Sequence, residues 1–140
     1  MRHHRPLRPC GIRAPRRVAF RVRACRRPRR RACCRVLHLT GELDVAATAT
    51  LLVAVGHALD RPPGPAGPGL VLDLGGLTFC DAAGLTALLR VRRLAETAGS
   101  PVYLTAPPHP VSRLLAVCDL RRSFALHPAA PGPRRLCSAR

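Results

Sequence analysis

The chain has 140 residues, and its 24 basic residues against seven acidic ones give a formal net charge of +17. This length suits one domain of ordinary size and excludes a multi-domain enzyme. The charge lies at the ends, because residues 1–35 carry +14, residues 36–128 are neutral and residues 129–140 carry +3. The basicity therefore says little about the middle of the chain, which is the part able to bury a core.

Domain organisation follows from this distribution. The arm over residues 1–17 is rich in arginine and proline, and the tail over residues 128–140 is also basic. Segments with so few large apolar residues do not offset their ordering entropy, so we expect both to be disordered. Residues 18–127 are predicted to form the folded domain. The absence of acids from residues 1–35 also fits an arm translated from upstream of the true start of a GC-rich gene.

The seven cysteines argue against a disulfide framework, since their number is odd, no C-x-x-C pair occurs and no secretory signal precedes them. We expect reduced thiols in a cytoplasm. The histidines do not stand at metal-ligand spacing with the cysteines, so no metal site is predicted. No run of 18 apolar residues occurs, which predicts that the chain does not insert into a membrane.

The first half of the domain alternates between strand and helix patterns. Residues 18–24 alternate and can add an edge strand, and residues 36–40 form a strand that is predicted to end at Gly41. A helix follows over residues 45–59, with Asp44 placed to cap it. Its core face is predicted from helical spacing; it consists of Thr48, Leu51, Leu52, Val55 and Leu59.

The second half repeats this pattern after a Pro- and Gly-rich loop over residues 61–69. Residues 70–74 form a short apolar run between glycines, which is typical of a strand buried on both faces of a parallel sheet. A second helix is predicted over residues 82–98, ending at Gly99. Its core face is predicted to comprise Leu85, Leu88, Leu89, the stem of Arg92 and Ala95.

Three short elements complete the domain: a strand over residues 102–105, a helix through residues 111–118 and a strand within residues 123–126. The alternating order predicts an α/β domain with a mixed or parallel sheet of four to five strands and helices packed against it. Motifs for nucleophilic, metal or nucleotide chemistry do not occur, so no enzymatic activity, catalytic residue or cofactor is predicted.

Two segments carry the remaining functional information. Residues 40–44 follow the first strand of the middle segment, and residues 77–85 follow the next one and enter the second helix. In a parallel sheet both would lie at the carboxyl edge, where functional surfaces gather. The simplest interpretation is a pair of helix caps, Asp44 and Asp81, with glycines for tight turns.

At these residues the sequence resembles the STAS domain of bacterial anti-sigma factor antagonists. The similarity rests on Gly41-Glu42-Leu43-Asp44, on the strand at residues 70–74 and on residues 79–85, which read FCDAAGL. It implies a compact α/β domain that binds an anti-sigma factor, usually a serine kinase of the GHKL ATPase type, and so releases a sigma factor. The matched positions imply a partner-binding set: Gly41, Glu42, Asp44, Asp81, Ala82, Ala83 and Gly84.

The chain departs from the family pattern at Ala82, where Asp-Ser-x-Gly would place the serine that the kinase phosphorylates. Ala82 cannot carry a phosphate, which predicts an antagonist that is not switched at this position. Thr78 and Thr86 flank it and are weak substitute acceptors. The resemblance further implies that Asp81 presents its carboxylate to the partner and that Gly84 lets a partner backbone come close.

Two other functions stay open. The same domain type serves as a subunit or appendage of membrane transporters for lipids or anions, which would require a separate membrane partner for this chain. The arginine run over residues 26–31 would favour sequence-independent, salt-sensitive binding of nucleic acid. Aromatic residues for stacking are nearly absent from the arm, so no specific nucleic-acid partner is predicted. The sequence predicts no oligomeric state.

Overall fold

The computed structural model describes residues 18–24, 35–61 and 69–126. In chain order the elements are β1 (Arg21–Ala24), β2 (Arg35–Leu43), α1 (Thr48–Leu59), β3 (Leu70–Cys80), α2 (Ala82–Thr97), β4 (Val102–Thr105), α3 (His109–Val117) and β5 (Ala125–Leu126). The predicted arm over residues 1–17, most of the predicted loop over residues 61–69 and the predicted tail over residues 128–140 lie outside the described residues.

The five strands form one mixed sheet in the order β1-β2-β3-β4-β5. β1 runs antiparallel to β2, while β2, β3, β4 and β5 are mutually parallel. This confirms the predicted α/β class, including the edge strand from residues 18–24. Because β2 and β3 are parallel neighbours, their carboxyl ends meet at the same edge of the sheet.

Both of these strands are longer than the sequence predicts. β2 does not end at Gly41 but continues to Leu43, and β3 continues from Leu74 to Cys80. Glycines permit this, because Gly41 takes a φ of +89° at an irregular step in the register between the strands. Residues 41–43 and 77–80, predicted as loops, therefore belong to the sheet.

The core lies between the sheet and the helices. It contains leucines of β2 and β3, such as Leu39 and Leu72, which are fully buried. The helices contribute Leu51, Val55 and Ala58 from α1 and Gly84, Leu85, Ala87, Leu88, Val91 and Ala95 from α2. The predicted core positions Thr48, Leu52 and Leu59 are only half-buried. Leu52 and Leu59 nevertheless pack against the buried cluster, as the helical spacing predicts.

The start of α1 and the end of α2 can be compared with their predicted positions. A 3-10 turn over Val45–Ala47 precedes α1, so the regular helix begins three residues later than predicted. At the end of α2, Gly99 takes a φ of +69° and donates its N–H to the carbonyl of Glu96 at 2.9 Å. This is the glycine stop that the sequence predicts.

Candidate functional site

The two segments that carry the family motif meet at the carboxyl edge of the sheet. Glu42 is the register partner of Phe79, and Leu43 is the partner of Cys80. The backbone N–H of Asp81 donates to the carbonyl of Leu43 over 3.5 Å. Segments about 40 positions apart in the sequence thus form one region, which we call the edge surface; it comprises Glu42, Asp44, Phe79, Asp81, Ala82 and Ala83.

Both aspartates form side-chain caps, Asp81 at the start of α2 as predicted and Asp44 at the 3-10 turn that precedes α1 rather than at α1 itself. The Oδ1 atom of Asp44 accepts from the backbone N–H of Ala47 at 3.1 Å, and that of Asp81 accepts from Gly84 at 2.9 Å. The Asp81 carboxylate therefore satisfies an N–H group of the first turn of α2, whereas the N–H of Ala47 is shared between the carboxylate and the backbone carbonyl of Asp44. The positive end of a helix dipole also favours each negative charge at its place.

The two motif glycines are buried and contact their own chain. A Cβ atom on Gly84 would lie 2.2 Å from the carbonyl oxygen of Leu43 and 2.9 Å from the Sγ atom of Cys80. A Cβ atom on Gly41 would lie 2.3 Å from the carbonyl oxygen of Ala19. The close backbone approach that the resemblance implied between Gly84 and a partner is therefore made to β2 instead.

Ala82 is the first residue of α2, and its side chain is exposed. The first N–H groups of a helix lack intrahelical acceptors, so this position can hold an anion. Thr86 lies one turn further on, and its hydroxyl donates to the carbonyl of Ala82 at 2.9 Å. Thr78 is exposed near the end of β3. The two threonines therefore flank Ala82 from the helix and from the strand.

An apolar groove, which was not predicted from the sequence, lies beside the edge surface. It has a volume of about 560 Å³ and lies between the N-terminal halves of α1 and α2. Its lining is Val45, Thr48, Ala49, Leu52, Ala83, Thr86, Ala87 and Arg90. Val45 is 75% exposed and Phe79, on the edge surface, is 47% exposed. The sequence feature that could have predicted this groove is the spacing of Val45, Ala49 and Leu52, which forms a second apolar stripe beside the core stripe of α1.

Cys80 lies beneath this region and is half-buried. Burial, with a smaller effect of the neighbouring Asp81 carboxylate, raises the pKa of the Cys80 thiol to about 11. The thiol is therefore neutral at physiological pH and a poor nucleophile.

Asp73, on β3, contacts a histidine of the neighbouring strand. Its Oδ2 atom lies 2.8 Å from Nδ1 of His38 on β2, and its Oδ1 atom accepts from the N–H of Gly75 at 2.9 Å. Within the described ranges, no group of three or more His, Cys, Asp or Glu residues is arranged to hold a metal ion. No helix in that part of the chain has the length and apolar character needed to cross a bilayer.

Solved structures with the same fold include regulators and a transporter. An anti-sigma factor antagonist from Mycobacterium paratuberculosis is 21% identical with a TM-score of 0.62, over 86% of this chain and 96% of that one. The Bacillus cell fate determinant SpoIIAA in its phosphorylated form is 19% identical with a TM-score of 0.54, over 84% and 99%. The murine anion transporter Slc26a9 is 18% identical with a TM-score of 0.62, over 81% of this chain and 19% of that one.

Sequence comparison gives the family directly. No curated protein matches the chain. A family model described as "Mlab, STAS domain" matches residues 27–128, which is most of the chain and includes both motif segments. The chain belongs to the STAS domain family.

Proposed function

We propose that this chain is a bacterial anti-sigma factor antagonist that acts in the cytoplasm without phosphorylation at the usual position. In this proposal it binds an anti-sigma factor of the serine-kinase, GHKL ATPase type and thereby releases a sigma factor. The observation that carries the proposal is the edge surface, where Ala82 begins α2 directly after the capping carboxylate of Asp81. The mycobacterial anti-sigma factor antagonist of the same fold supports this choice.

The edge surface is suited to binding another protein. It combines exposed apolar atoms of Phe79 with the carboxylates of Glu42 and Asp81 and with the small side chains of Ala82 and Ala83. Small side chains at a helix start let a partner come close to the backbone. Gly41 and Gly84 act indirectly, since they hold the ends of the strands and α2 together beneath this surface.

The side chain at position 82 decides whether this surface can be switched. A phosphate on a hydroxyl at the first turn of a helix would lie beside free N–H donors and add a charge of about −1.5 to −2. Next to Asp81 it would also create like-charge repulsion toward an acidic partner surface. The methyl group of Ala82 offers no acceptor oxygen, so the surface stays in its binding form and regulation falls to abundance or exchange of partners.

The flanking threonines are less suitable acceptors. The hydroxyl of Thr86 already donates to the carbonyl of Ala82, and a phosphate there would lie one turn inside α2, away from the free N–H groups. Thr78 is on a strand rather than at a helix terminus. Neither position therefore offers the anion site that Ala82 occupies.

Phosphate transfer from a purified GHKL-type anti-sigma kinase tests the proposal. With radiolabelled ATP, the full-length wild-type chain is expected to stay unlabelled and Ala82→Ser to become labelled. Ala83→Ser, which places a hydroxyl one residue further into the same turn, is the matched control and is expected to stay unlabelled. Label on Thr78 or Thr86 of the wild type would contradict the non-switchable state, and an unlabelled Ala82→Ser would contradict the kinase class.

A second candidate function is that of a STAS subunit associated with a membrane transporter for lipids or anions. The fold similarity to Slc26a9, whose TM-score equals that of the mycobacterial antagonist, favours keeping it. Fractionation of cells distinguishes the two functions. Co-purification of the chain with a transporter complex, without any GHKL-type ATPase, would support the second and overturn the first.

A further inference from the structure

We propose that the groove between α1 and α2 receives an amphipathic helix of the anti-sigma factor, whose carboxylate pairs with Arg90. This inference rests on the proposed function and names the part of the partner that binds beside the edge surface. It is carried by the composition of the groove, its unpaired charge and its dimensions.

The groove is apolar where it adjoins the edge surface. Val45 of the 3-10 turn and Ala49 of α1 are exposed there, and Leu52 and Ala83 are half-buried. At 75% exposure Val45 leaves most of its apolar surface in water. Covering these side chains with apolar groups of a partner gains free energy in proportion to the area removed from water.

Arg90 places a positive charge at one end of the groove, which fixes the end at which a partner carboxylate would bind. It lines the end away from Ala83 and is exposed. In the described part of the chain no carboxylate forms an ion pair with it, whereas Arg92 on the same helix binds Glu96 through Nε at 2.8 Å. A partner that supplies a carboxylate at this end therefore complements the groove, and a partner that supplies a cation is repelled.

The dimensions define the partner motif. Ala83 and Arg90 are seven residues apart on α2, which corresponds to about 10 Å along a helix. A helix lying along the groove presents one face through residues three, four and seven positions apart. The expected partner motif therefore has two apolar residues one turn apart, followed about seven positions from the first by Asp or Glu.

Binding of a purified GHKL-type anti-sigma factor to full-length variants tests this assignment. Arg90→Glu and Val45→Asp are each expected to weaken binding about tenfold or more, since the first places a carboxylate opposite that of the partner and the second places a charge in the apolar part of the contact. Two matched controls are expected to change affinity less than about twofold. Arg113→Glu on α3 makes the same charge change at an exposed site, and Val53→Asp replaces another exposed valine of α1 that does not line the groove.

The outcomes separate the two proposals. One outcome is that the wild type binds the anti-sigma factor, that Ala82→Glu abolishes binding and that the groove variants bind normally. This result would support the edge surface as a binding site and overturn the groove as the site of the partner helix. Failure of the wild type to bind would overturn both. Equal losses in the groove variants and their controls would reveal a nonspecific charge effect and overturn the groove. A change from dimer to monomer in Val45→Asp would identify a second copy as the occupant and likewise overturn it.

Discussion

At the first corner of the edge surface the chain leaves β2 through Asp44 and makes a 3-10 turn before α1, whereas at the second it leaves β3 through Asp81 and enters α2 at once. Both corners use the same aspartate cap. Only at the second does a glycine of the helix, Gly84, pack directly on the carbonyl of Leu43. The second corner is therefore fixed by backbone contact.

The first corner has a different consequence. Its 3-10 turn holds Val45, a groove residue that is 75% exposed. At the second corner the aspartate cap fixes the start of α2, a position that suits an anion. At the first corner the same kind of cap precedes an exposed apolar side chain, that of Val45. In our account the anti-sigma factor uses both, with backbone approach at Ala82 and apolar contact at Val45.

Replacing the packed glycine is expected to have the largest effect on stability. Gly84→Ala places a Cβ atom against the Leu43 carbonyl, where neither backbone segment can move freely, and we expect a loss of about 3 kcal/mol in the free energy of unfolding. Gly56→Ala in α1 is the control, because no atom lies within 4 Å of the added Cβ. It is expected to gain about 1 kcal/mol from helix propensity. Denaturant unfolding of both variants measures this, and equal effects would contradict the tight second corner.

Removing either aspartate cap is expected to lower the free energy of unfolding by less than Gly84→Ala does, and by different amounts at the two corners. Asp81→Ala is expected to lose about 1.5 kcal/mol, since its cap begins the regular helix α2. Asp44→Ala is expected to lose about 0.5 kcal/mol, since its cap holds only the short turn before α1. Asp81→Asn keeps an acceptor oxygen and should recover most of the loss. Urea unfolding of the variants measures these losses. A larger loss for Asp44→Ala than for Asp81→Ala would contradict the expected difference between the two corners.

The smallest expected effect is a pH dependence at Cys80. Its pKa of about 11 in the folded chain lies above the ordinary thiol value of 9.0, so the unfolded chain releases this proton first. The contribution to stability is therefore complete below about pH 9 and is lost as the pH rises toward 11. Cys80→Ala is expected to flatten the fall in stability over this range, whereas the exposed-thiol control Cys118→Ala is not. Identical profiles for wild type and Cys80→Ala would contradict a buried thiol.

The order of the elements was predictable because it depends on local signals. Apolar spacing located the strands and helices, and Asp44, Asp81 and Gly99 marked helix ends through chemistry that a single residue supplies. The pairing of the two motif segments was also predictable, since parallel neighbours must end at one edge.

The strand ends and the groove were not predictable from the sequence in the same way. A glycine can end a strand or let it continue past a close neighbour, and only the tertiary contacts of Gly41 and Gly76 select the second alternative. The groove depends on how α1 and α2 pack together. Helical spacing assigned Leu52 to the core, and it does pack against the core, but the packing of the two helices also leaves part of it in the groove wall.

Whether the chain escapes phosphorylation is decided by its affinity for a purified GHKL-type anti-sigma factor, measured by calorimetry before and after incubation with Mg-ATP. For the wild type we predict the same dissociation constant in both measurements, because Ala82 accepts no phosphate. For Ala82→Ser we predict a loss of affinity of about tenfold or more after incubation. A comparable loss for the wild type, with phosphate found on the chain, would contradict this prediction.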